Sequence, residues 1–453
     1  MNLDALPPLE EGAALHAALA ERVSDALREA REAGASDAEA RLSLSRGWSA
    51  RVRRGEAERV ENDRGQGFGI TVYFGQRKGS ASSTDVDPAS IHQAVRAACT
   101  IARESAEDPH AGLPDAAWLA KDAPDMDLSH PWAISTAEGI ELARVCEAAG
   151  LAQPGIRNSH GAGFGTSQSR FVYGNSRGFL GGYPATWHSL SCALVAGEGA
   201  AMQRDSYSHG ARLAGVLPEA AAIGREAARR TLARLDPRPI ASGRYPVLFT
   251  PEMARGLLSH LVGAVSGSAL YRRASFLLDA QGQRLFPEAV RIIERPHLPR
   301  GPASAAFDSE GVATRDRDLV SQGVLQGYVL DSYSARRLGQ ASTGHAGGVR
   351  NLEILPTTGE GFEALLRRMG RGLVVTEVMG QGVNTVTGDY SRGATGFWVE
   401  GGGIRHAVNE ITIAGNLRQM FAGLLAAGAD SDRRGGIVSG SWLVAEMTVA
   451  GRA

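Results

Sequence analysis

Long segments of this chain alternate apolar and polar residues, and glycines interrupt them at short intervals. Apolar side chains recur at every second position, as in Leu42 and Leu44, and again in Ile70, Val72 and Phe74. A period of two predicts antiparallel strands joined by hairpins. Because helical patterns collect between these runs, the sequence predicts an α+β fold with antiparallel sheets and segregated helices. It does not predict a doubly wound parallel sheet.

Several other segments carry apolar residues at helical spacing. Asp87 and Pro88 open one of them, and Asn416 is a suitable N-cap for the last. Helices are therefore predicted over residues 12–34, about 87–103, 135–152, 217–234, 251–266, 360–371 and 416–427.

The segment Asp236-Pro-Arg-Pro239 is the best candidate linker, because X-Pro steps favour extended backbone. It predicts an N-terminal α/β-type domain, residues 1–235, and a β-rich C-terminal domain, residues 240–453. A loop near 108–133 would divide the first domain into two subregions. No repeat of 20 to 50 residues occurs, which argues against a solenoid.

Charge and cysteine content narrow the partners and the compartment. The chain has 48 Lys and Arg against 49 Asp and Glu, so it lacks the basic excess of a nucleic-acid binder. Three separated cysteines form neither a disulfide framework nor a CxxC pair, and a reducing compartment fits them best. Neither a secretory signal nor an apolar run of membrane-spanning length occurs. We therefore expect a cytoplasmic protein with no nucleic-acid or membrane partner.

The 57 glycines cluster in the strand regions. Turns and bulges are the simpler explanation for such clusters. The alternative is that the backbone must let another chain approach closely, as when an extended peptide adds to a sheet edge.

Motifs that would define a catalytic site by themselves are absent from the sequence. It contains no phosphate-binding loop, no Gly-x-Ser-x-Gly elbow and no dinucleotide fingerprint. His260 and His345 are isolated from other ligands in sequence, and an isolated histidine is more often structural than metal-binding. A complete zinc site is therefore not expected within this chain.

The C-terminal half carries long motifs that resemble the TldD/PmbA peptidase family. These are Phe249-Thr-Pro-Glu-Met253, Phe307-Asp-Ser-Glu-Gly-Val-Ala-Thr314, Ser342-Thr-Gly-His-Ala-Gly-Gly348 and Met379-Gly-Gln-Gly-Val-Asn384. The runs Thr387-Gly-Asp-Tyr-Ser-Arg-Gly-Ala394 and Glu410-Ile-Thr-Ile-Ala-Gly-Asn416 resemble its PmbA branch, also called TldE. Looser matches extend the resemblance through most of the first half.

In that family the TldD branch supplies a zinc ion, held by a His-Glu-x-x-x-His helix and a late cysteine. The resemblance places this motif on His260 to Val265, with Leu261 at the glutamate position and Val265 at the second histidine. The cysteine position falls on Ser439. Only His260 keeps a ligand, so the resemblance implies no cofactor in this chain and zinc in a partner subunit.

The resemblance further implies a heterodimer with a TldD-like subunit that cleaves unfolded peptides, in peptide maturation or antitoxin turnover. This chain would help to form an internal chamber, and it could form homodimers without the partner. The face carrying His260, His345, Tyr390 and Arg392 is expected to line that chamber.

Two other hypotheses remain open at this stage. One is a stand-alone hydrolase with a serine site, for which Ser439, Ser441, His345 and Asp389 are the candidates, since a nucleophile needs a nearby base. The other is a peptide-binding protein or inhibitor that adds nothing to cleavage.

Overall fold

The computed structural model describes residues 12–451, with no description of the Ala200 side chain. Short 3-10 turns occur at Ala116–Trp118, Gly199–Ala201 and Ala214–Val216. Over the described residues the helices are α1 (Gly12–Glu32), α2 (Pro88–Glu104), α3 (Thr136–Leu151), α4 (Ala220–Ala233), α5 (Pro251–Ala264), α6 (Gly267–Tyr271), α7 (Ser332–Arg337), α8 (Phe362–Met369) and α9 (Leu417–Ala422).

Strands fall into three sheets. The first, which we call the N-terminal sheet, contains β1 (Asp37–Arg53), β2 (Glu56–Phe74), β3 (Arg77–Ser83), β4 (Ile156–Asn175), β5 (Leu180–Gly181), β6 (Pro184–Ala196) and β7 (Gln203–Ala211). The second contains β9 (Ile292–Glu294), β10 (Arg317–Ser321), β11 (Val324–Leu325), β12 (Leu352–Ile354) and β17 (Ile437–Val438). The third contains β8 (Gly243–Phe249), β13 (Gly372–Met379), β14 (Asp389–Glu400), β15 (Gly403–Asn416), β16 (Leu424–Ala427) and β18 (Trp442–Ala450).

The N-terminal sheet is antiparallel throughout and runs in the order β3-β2-β1-β4-β6-β7, with β5 paired to β4. One face is covered by helices. Leu42 and Val172 belong to the core formed with α1 and α2, while Phe164 and Leu194 belong to the core formed with α3 and α4. Successive strand side chains point to opposite faces, so the residues between these apolar positions occupy the other side of the sheet.

The third sheet closes on itself. Its order is β15-β14-β13-β8-β18-β16, and an additional pairing of β15 with β18 joins five strands into a ring. Closure reduces the number of free sheet edges, which are otherwise prone to uncontrolled pairing, and β16 pairs with β18 outside the ring. Most strand pairs in the second and third sheets are antiparallel. The parallel pairs are β8 with β13 in the third sheet and β12 with β17 in the second.

The α+β prediction is confirmed, and local signals place most helix ends correctly. Asp87 accepts hydrogen bonds from the backbone N–H groups of Ala89 and Ser90, and it caps α2. Ser135 and Glu138 form a capping box at the start of α3. The three cysteines are buried and unpaired by disulfides. Among the described residues, no helix is both long enough and apolar enough to cross a bilayer.

One predicted helix is too long. The helix predicted over 416–427 begins as expected, because the Asn416 side chain accepts from the Arg418 N–H, but it ends at Ala422. Gly423 follows, and Leu424–Ala427 then forms β16 against β18. The segment Leu424–Ala427 forms a strand because pairing with β18 buries it. The periodicity of the local sequence carries no information about this distant partner. The domain division at 235 and 240 stays a prediction.

Candidate functional site

Three of the four positions that correspond to the family's zinc motif are fully buried, and two of them lie in the apolar core. Leu261 and Val265 are fully buried within the largest hydrophobic cluster of the described residues. The helix α5 ends at Ala264, and Val265 is its C-cap residue. His260 is half-buried and is the one imidazole among these positions. Hydrocarbon side chains in a closed core can neither ligate an ion nor activate a water molecule.

Ser439, at the position of the family's cysteine ligand, is also enclosed. Its hydroxyl donates to the carbonyl oxygen of the adjacent Gly440 at 2.8 Å, and the residue is fully buried. Among the residues that the structure describes, no three His, Cys, Asp or Glu side chains are placed to hold a metal ion. The donor set around His260 therefore does not fit a catalytic zinc ion.

His260, Tyr390 and Arg392 come together beside α5. The rings of His260 and Tyr390 meet edge to face, with centroids 6.0 Å apart. Tyr390 and Arg392 project from the same face of β14, since they are two residues apart. Tyr390 is buried, whereas Arg392 is partly exposed and donates from Nε to the Met379 carbonyl oxygen at 3.2 Å. The sequence prediction placed these three residues on one face together with His345, and the structure brings only these three into one cluster.

Burial sets the protonation of this cluster. It lowers the pKa of His260, and the positive charge of Arg392 lowers it further, so the imidazole is held neutral. Burial raises the pKa of Tyr390 to about 12, although Arg392 acts in the opposite direction. A neutral imidazole beside a protonated phenol and a guanidinium offers hydrogen bonds to a polar chain, such as a peptide backbone.

His345 does not belong to this cluster. Its Nε2 lies 2.8 Å from Glu294 and its Nδ1 lies 2.9 Å from the Thr343 hydroxyl. Glu294 is almost fully buried and also pairs with Arg317. Both ring nitrogens are thus engaged in an internal network, which is the structural role expected for a buried histidine. Peptide contact by His345, Tyr390 or Arg392 stays a prediction.

The geometry gives no support to a serine nucleophile at the predicted positions. Ser441 is fully buried and donates to Asp430 at 2.6 Å, while Ser439 donates to a backbone carbonyl. Asp389 accepts from Thr387 and Asn416 at the surface. Within residues 12–451 no hydrogen bond joins either serine to a histidine, so neither has a base in reach.

The sequence reasoning did not identify the side of the N-terminal sheet that faces away from the helices, which we call the open face. Small side chains line a cavity of about 580 Å³ along it. Its middle is formed by Ser49, Gly161, Gly163, Gly165, Ser189, Ser191, Ser206 and Ser208. In the central part of four adjacent strands Ser or Gly recurs at alternate positions, and this alternation was the available signal. Another backbone can approach such a surface closely.

An ionic network borders the open face and joins the two halves of the chain. Arg434 donates to the Ser208 carbonyl oxygen on β7 at 2.9 Å and pairs with Glu252 on α5. The guanidinium groups of Arg434 and Arg230 lie 4.6 and 4.7 Å from the centre of the Tyr207 ring. A cation over an aromatic ring is stabilising, so these contacts hold β7 against the C-terminal half.

The substitution Arg392→Ala is expected to raise the pKa of His260 while leaving the fold intact. Removing the positive charge favours protonation of the neighbouring imidazole. Histidine NMR titration measures this change directly, and Arg405→Ala, an exposed arginine on β15, is the control. The same substitution should weaken peptide handling. An unchanged His260 titration would show that Arg392 exerts no influence on the imidazole.

Family models of PmbA/TldA metallopeptidases match three successive parts of the chain. The domain 1 model matches residues 38–102, the central-domain model matches 129–235 and the C-terminal-domain model matches 242–451. Together they account for most of the sequence.

Individual relatives agree with the family models. The chain is 49% identical over 440 residues to the metalloprotease PmbA of Escherichia coli O157:H7, covering 96% of each protein. It is 44% identical to a PmbA homolog of Haemophilus influenzae, covering 98% of this chain and all of the relative. A Bacteroides thetaiotaomicron crystal structure, solved as a candidate modulator of DNA gyrase, superposes with a TM-score of 0.90 at 26% identity, covering 95% of this chain and 98% of that one. TldE of Thermococcus kodakarensis shares the fold, with a TM-score of 0.83 at 19% identity and coverage of 95% and 100%.

Proposed function

Because this chain belongs to the PmbA/TldA metallopeptidase family, we propose that it is the subunit of a zinc peptidase complex that does not hold the catalytic metal. One observation carries the proposal. At the two positions where the family's zinc helix needs a base and a second ligand, this chain has Leu261 and Val265, both sealed in the core. A single half-buried imidazole cannot replace a three-ligand site.

The partner in this proposal is a TldD-like subunit that supplies zinc, and the substrate is an unfolded peptide. Two features support a role in holding peptide. The open face offers a cavity of about 580 Å³ lined by Ser and Gly, where an extended backbone can lie close to the sheet. The His260, Tyr390 and Arg392 cluster offers polar contacts beside α5. Peptide maturation and antitoxin turnover in the cytoplasm are the proposed settings, as for the family.

The description of one structural relative as a candidate DNA gyrase modulator does not lead us to propose DNA binding here. The formal charge of the chain is -1, and DNA affinity depends on neutralising many phosphates.

Reconstitution tests the proposal. The purified chain alone should leave an unfolded peptide intact, and mixing it with a TldD-like subunit should produce cleavage that a chelator abolishes. A mixture in which the partner's zinc ligands have been replaced is the control. Cleavage by the isolated chain in chelator would contradict the proposal. Peptide binding with no gain in cleavage on adding the partner would favour a binding protein.

A further inference from the structure

A cleft of about 210 Å³ lies at one end of the open face, where the N-terminal sheet meets the loop after β9. Its wall is aromatic. Phe171 and Tyr183 meet edge to face with centroids 4.7 Å apart, and Phe307 lies 6.1 and 5.7 Å from those two rings. Such a wall accepts an apolar side chain or the stem of a longer one.

Two guanidinium groups stand at this wall without carboxylate partners. Arg41 lies over the Phe171 ring at 4.3 Å, and its guanidinium group forms no hydrogen bond or ion pair within residues 12–451. Arg350 is turned towards the backbone, with Nη1 donating to the Gly347 carbonyl oxygen at 3.1 Å. Its Nε is buried, and no acceptor for it occurs in the described part of the chain. An unsatisfied buried donor costs free energy unless a ligand supplies the acceptor.

A third cation lies behind the cleft. Arg212 donates to the carbonyl oxygens of Gly301 and Pro302 at 3.0 and 2.9 Å. Carbonyl oxygens satisfy its donors without cancelling its charge. Burial raises the pKa of the Tyr183 phenol, and Arg350, Arg41 and Arg212 all act to lower it, which shows that the three charges converge on this ring.

The cleft has one acidic side chain in its lining, and that carboxylate is already occupied. Asp308 accepts at Oδ2 from the Ala346 N–H, and at Oδ1 from the N–H groups of Glu310 and Val312, at 2.9 to 3.0 Å. These hydrogen bonds do not cancel its negative charge, but a single carboxylate can offset only one of the three guanidinium groups near the cleft. The cleft therefore keeps an excess of positive charge beside an apolar wall.

We propose that this cleft binds a carboxylate of the peptide, with Arg41 and Arg350 as the donors and the aromatic wall holding the adjoining side chain. Arginine suits this role because its planar guanidinium group can donate two parallel hydrogen bonds to the two oxygens of a carboxylate. The source is either the C-terminal carboxylate or an acidic side chain. The inference rests on the proposed function for the identity of the ligand as a peptide.

Peptide affinity of the full-length isolated chain tests the site. Three fluorescent unstructured peptides differ only in charge: one has a free C-terminal carboxylate and no acidic side chain, one is amidated and neutral, and one is amidated with a glutamate near its end. The neutral peptide should bind about tenfold more weakly than at least one anionic peptide, since a charged hydrogen bond contributes on that order. The anionic peptide that is preferred identifies the source.

Variants attach this preference to the cleft. Arg41→Gln should remove the preference. Arg41→Lys should keep part of it, because lysine retains the positive charge but cannot donate two parallel hydrogen bonds to a carboxylate. Arg64→Gln is the control, since Arg64 is exposed on β2 outside the cleft and its substitution changes charge equally. Equal binding of the three peptides, no binding of any, or a preference that survives Arg41→Gln would overturn the proposal. A failed reconstitution with an intact carboxylate preference would reject the proposed complex and leave this site standing.

Discussion

The variant Leu261→Glu is expected to lose about 4 kcal/mol or more of unfolding free energy, and to gain no peptidase activity. Leu261 is fully buried on α5 between apolar residues of the core. A glutamate there loses the apolar contacts and buries an unpaired carboxylate. Introducing the glutamate of the family's zinc motif at position 261 therefore destabilises the core, and the buried carboxylate does not provide a catalytic base. Urea unfolding followed by circular dichroism measures the loss.

Ser259→Glu is the matched control for this substitution. Ser259 is exposed on the same helix, so the added carboxylate stays in water. Its effect should stay within about 0.5 kcal/mol, as for most surface substitutions. If Leu261→Glu were as stable as Ser259→Glu, Leu261 would have access to solvent, and the argument that this position is sealed would fail.

Arg434→Ala is expected to destabilise the protein by about 2 to 3 kcal/mol, because two partly buried carboxylates lose a charged hydrogen-bond donor. Each carboxylate keeps a second cation, since Asp432 also pairs with Arg255 and Glu252 also pairs with Arg230. Arg434 pairs with Asp432 at 2.8 Å and with Glu252, and its side chain is 17% exposed. The variant also loses the cation–π contact with Tyr207 and the hydrogen bond to the Ser208 carbonyl oxygen on β7. Because these contacts join the two halves of the chain, the loss should appear first as weaker protection of β7 in hydrogen exchange.

The difference between wild type and Arg434→Ala should shrink in acid. Burial acts to raise the pKa of Asp432, but the hydrogen bonds from Arg434 and the charges of Arg255 and Arg434 outweigh it, and the net pKa is lowered. A carboxylate whose folded pKa is lowered stabilises the fold above its unfolded pKa of about 3.9, and this stabilisation is lost as pH falls through the folded value. The pair Arg244 and Glu446 is exposed, so Arg244→Ala should cost no more than about 1 kcal/mol. A gap between wild type and Arg434→Ala that stayed constant down to pH 2 would contradict the role given to Asp432.

The sequence was sufficient for features that depend on neighbouring residues. Period-two patterns predicted strands where β1 and β2 occur, and Asp87, Ser135 and Asn416 marked helix starts that the structure confirms. The simpler explanation for the glycines, turn formation, is seen directly, whereas close approach by another chain stays a prediction. Gly401 and Gly402 form a turn with φ of 63° and 73°, which glycine adopts readily, whereas the glycines of β4 lie on the open face.

Features that depend on distant residues could not be predicted. The ring closure pairs β15 with β18, and nothing local marks those strands as partners. Arg434 reaches Ser208, which is 226 residues away, so no short motif could reveal the contact. For the candidate site, position 260 and its neighbours were found by resemblance. The burial of His345 and the aromatic cleft near Arg41 emerged only from packing.

Zinc analysis of the separated subunits tests the central claim most directly. After exposure to zinc and removal of excess metal, the complex with a TldD-like partner should contain zinc that stays with the partner when the subunits are parted. This chain should retain no stoichiometric zinc, because Leu261, Val265 and Ser439 leave His260 without co-ligands. One zinc ion per isolated chain, lost in a His260→Ala variant, would contradict the account.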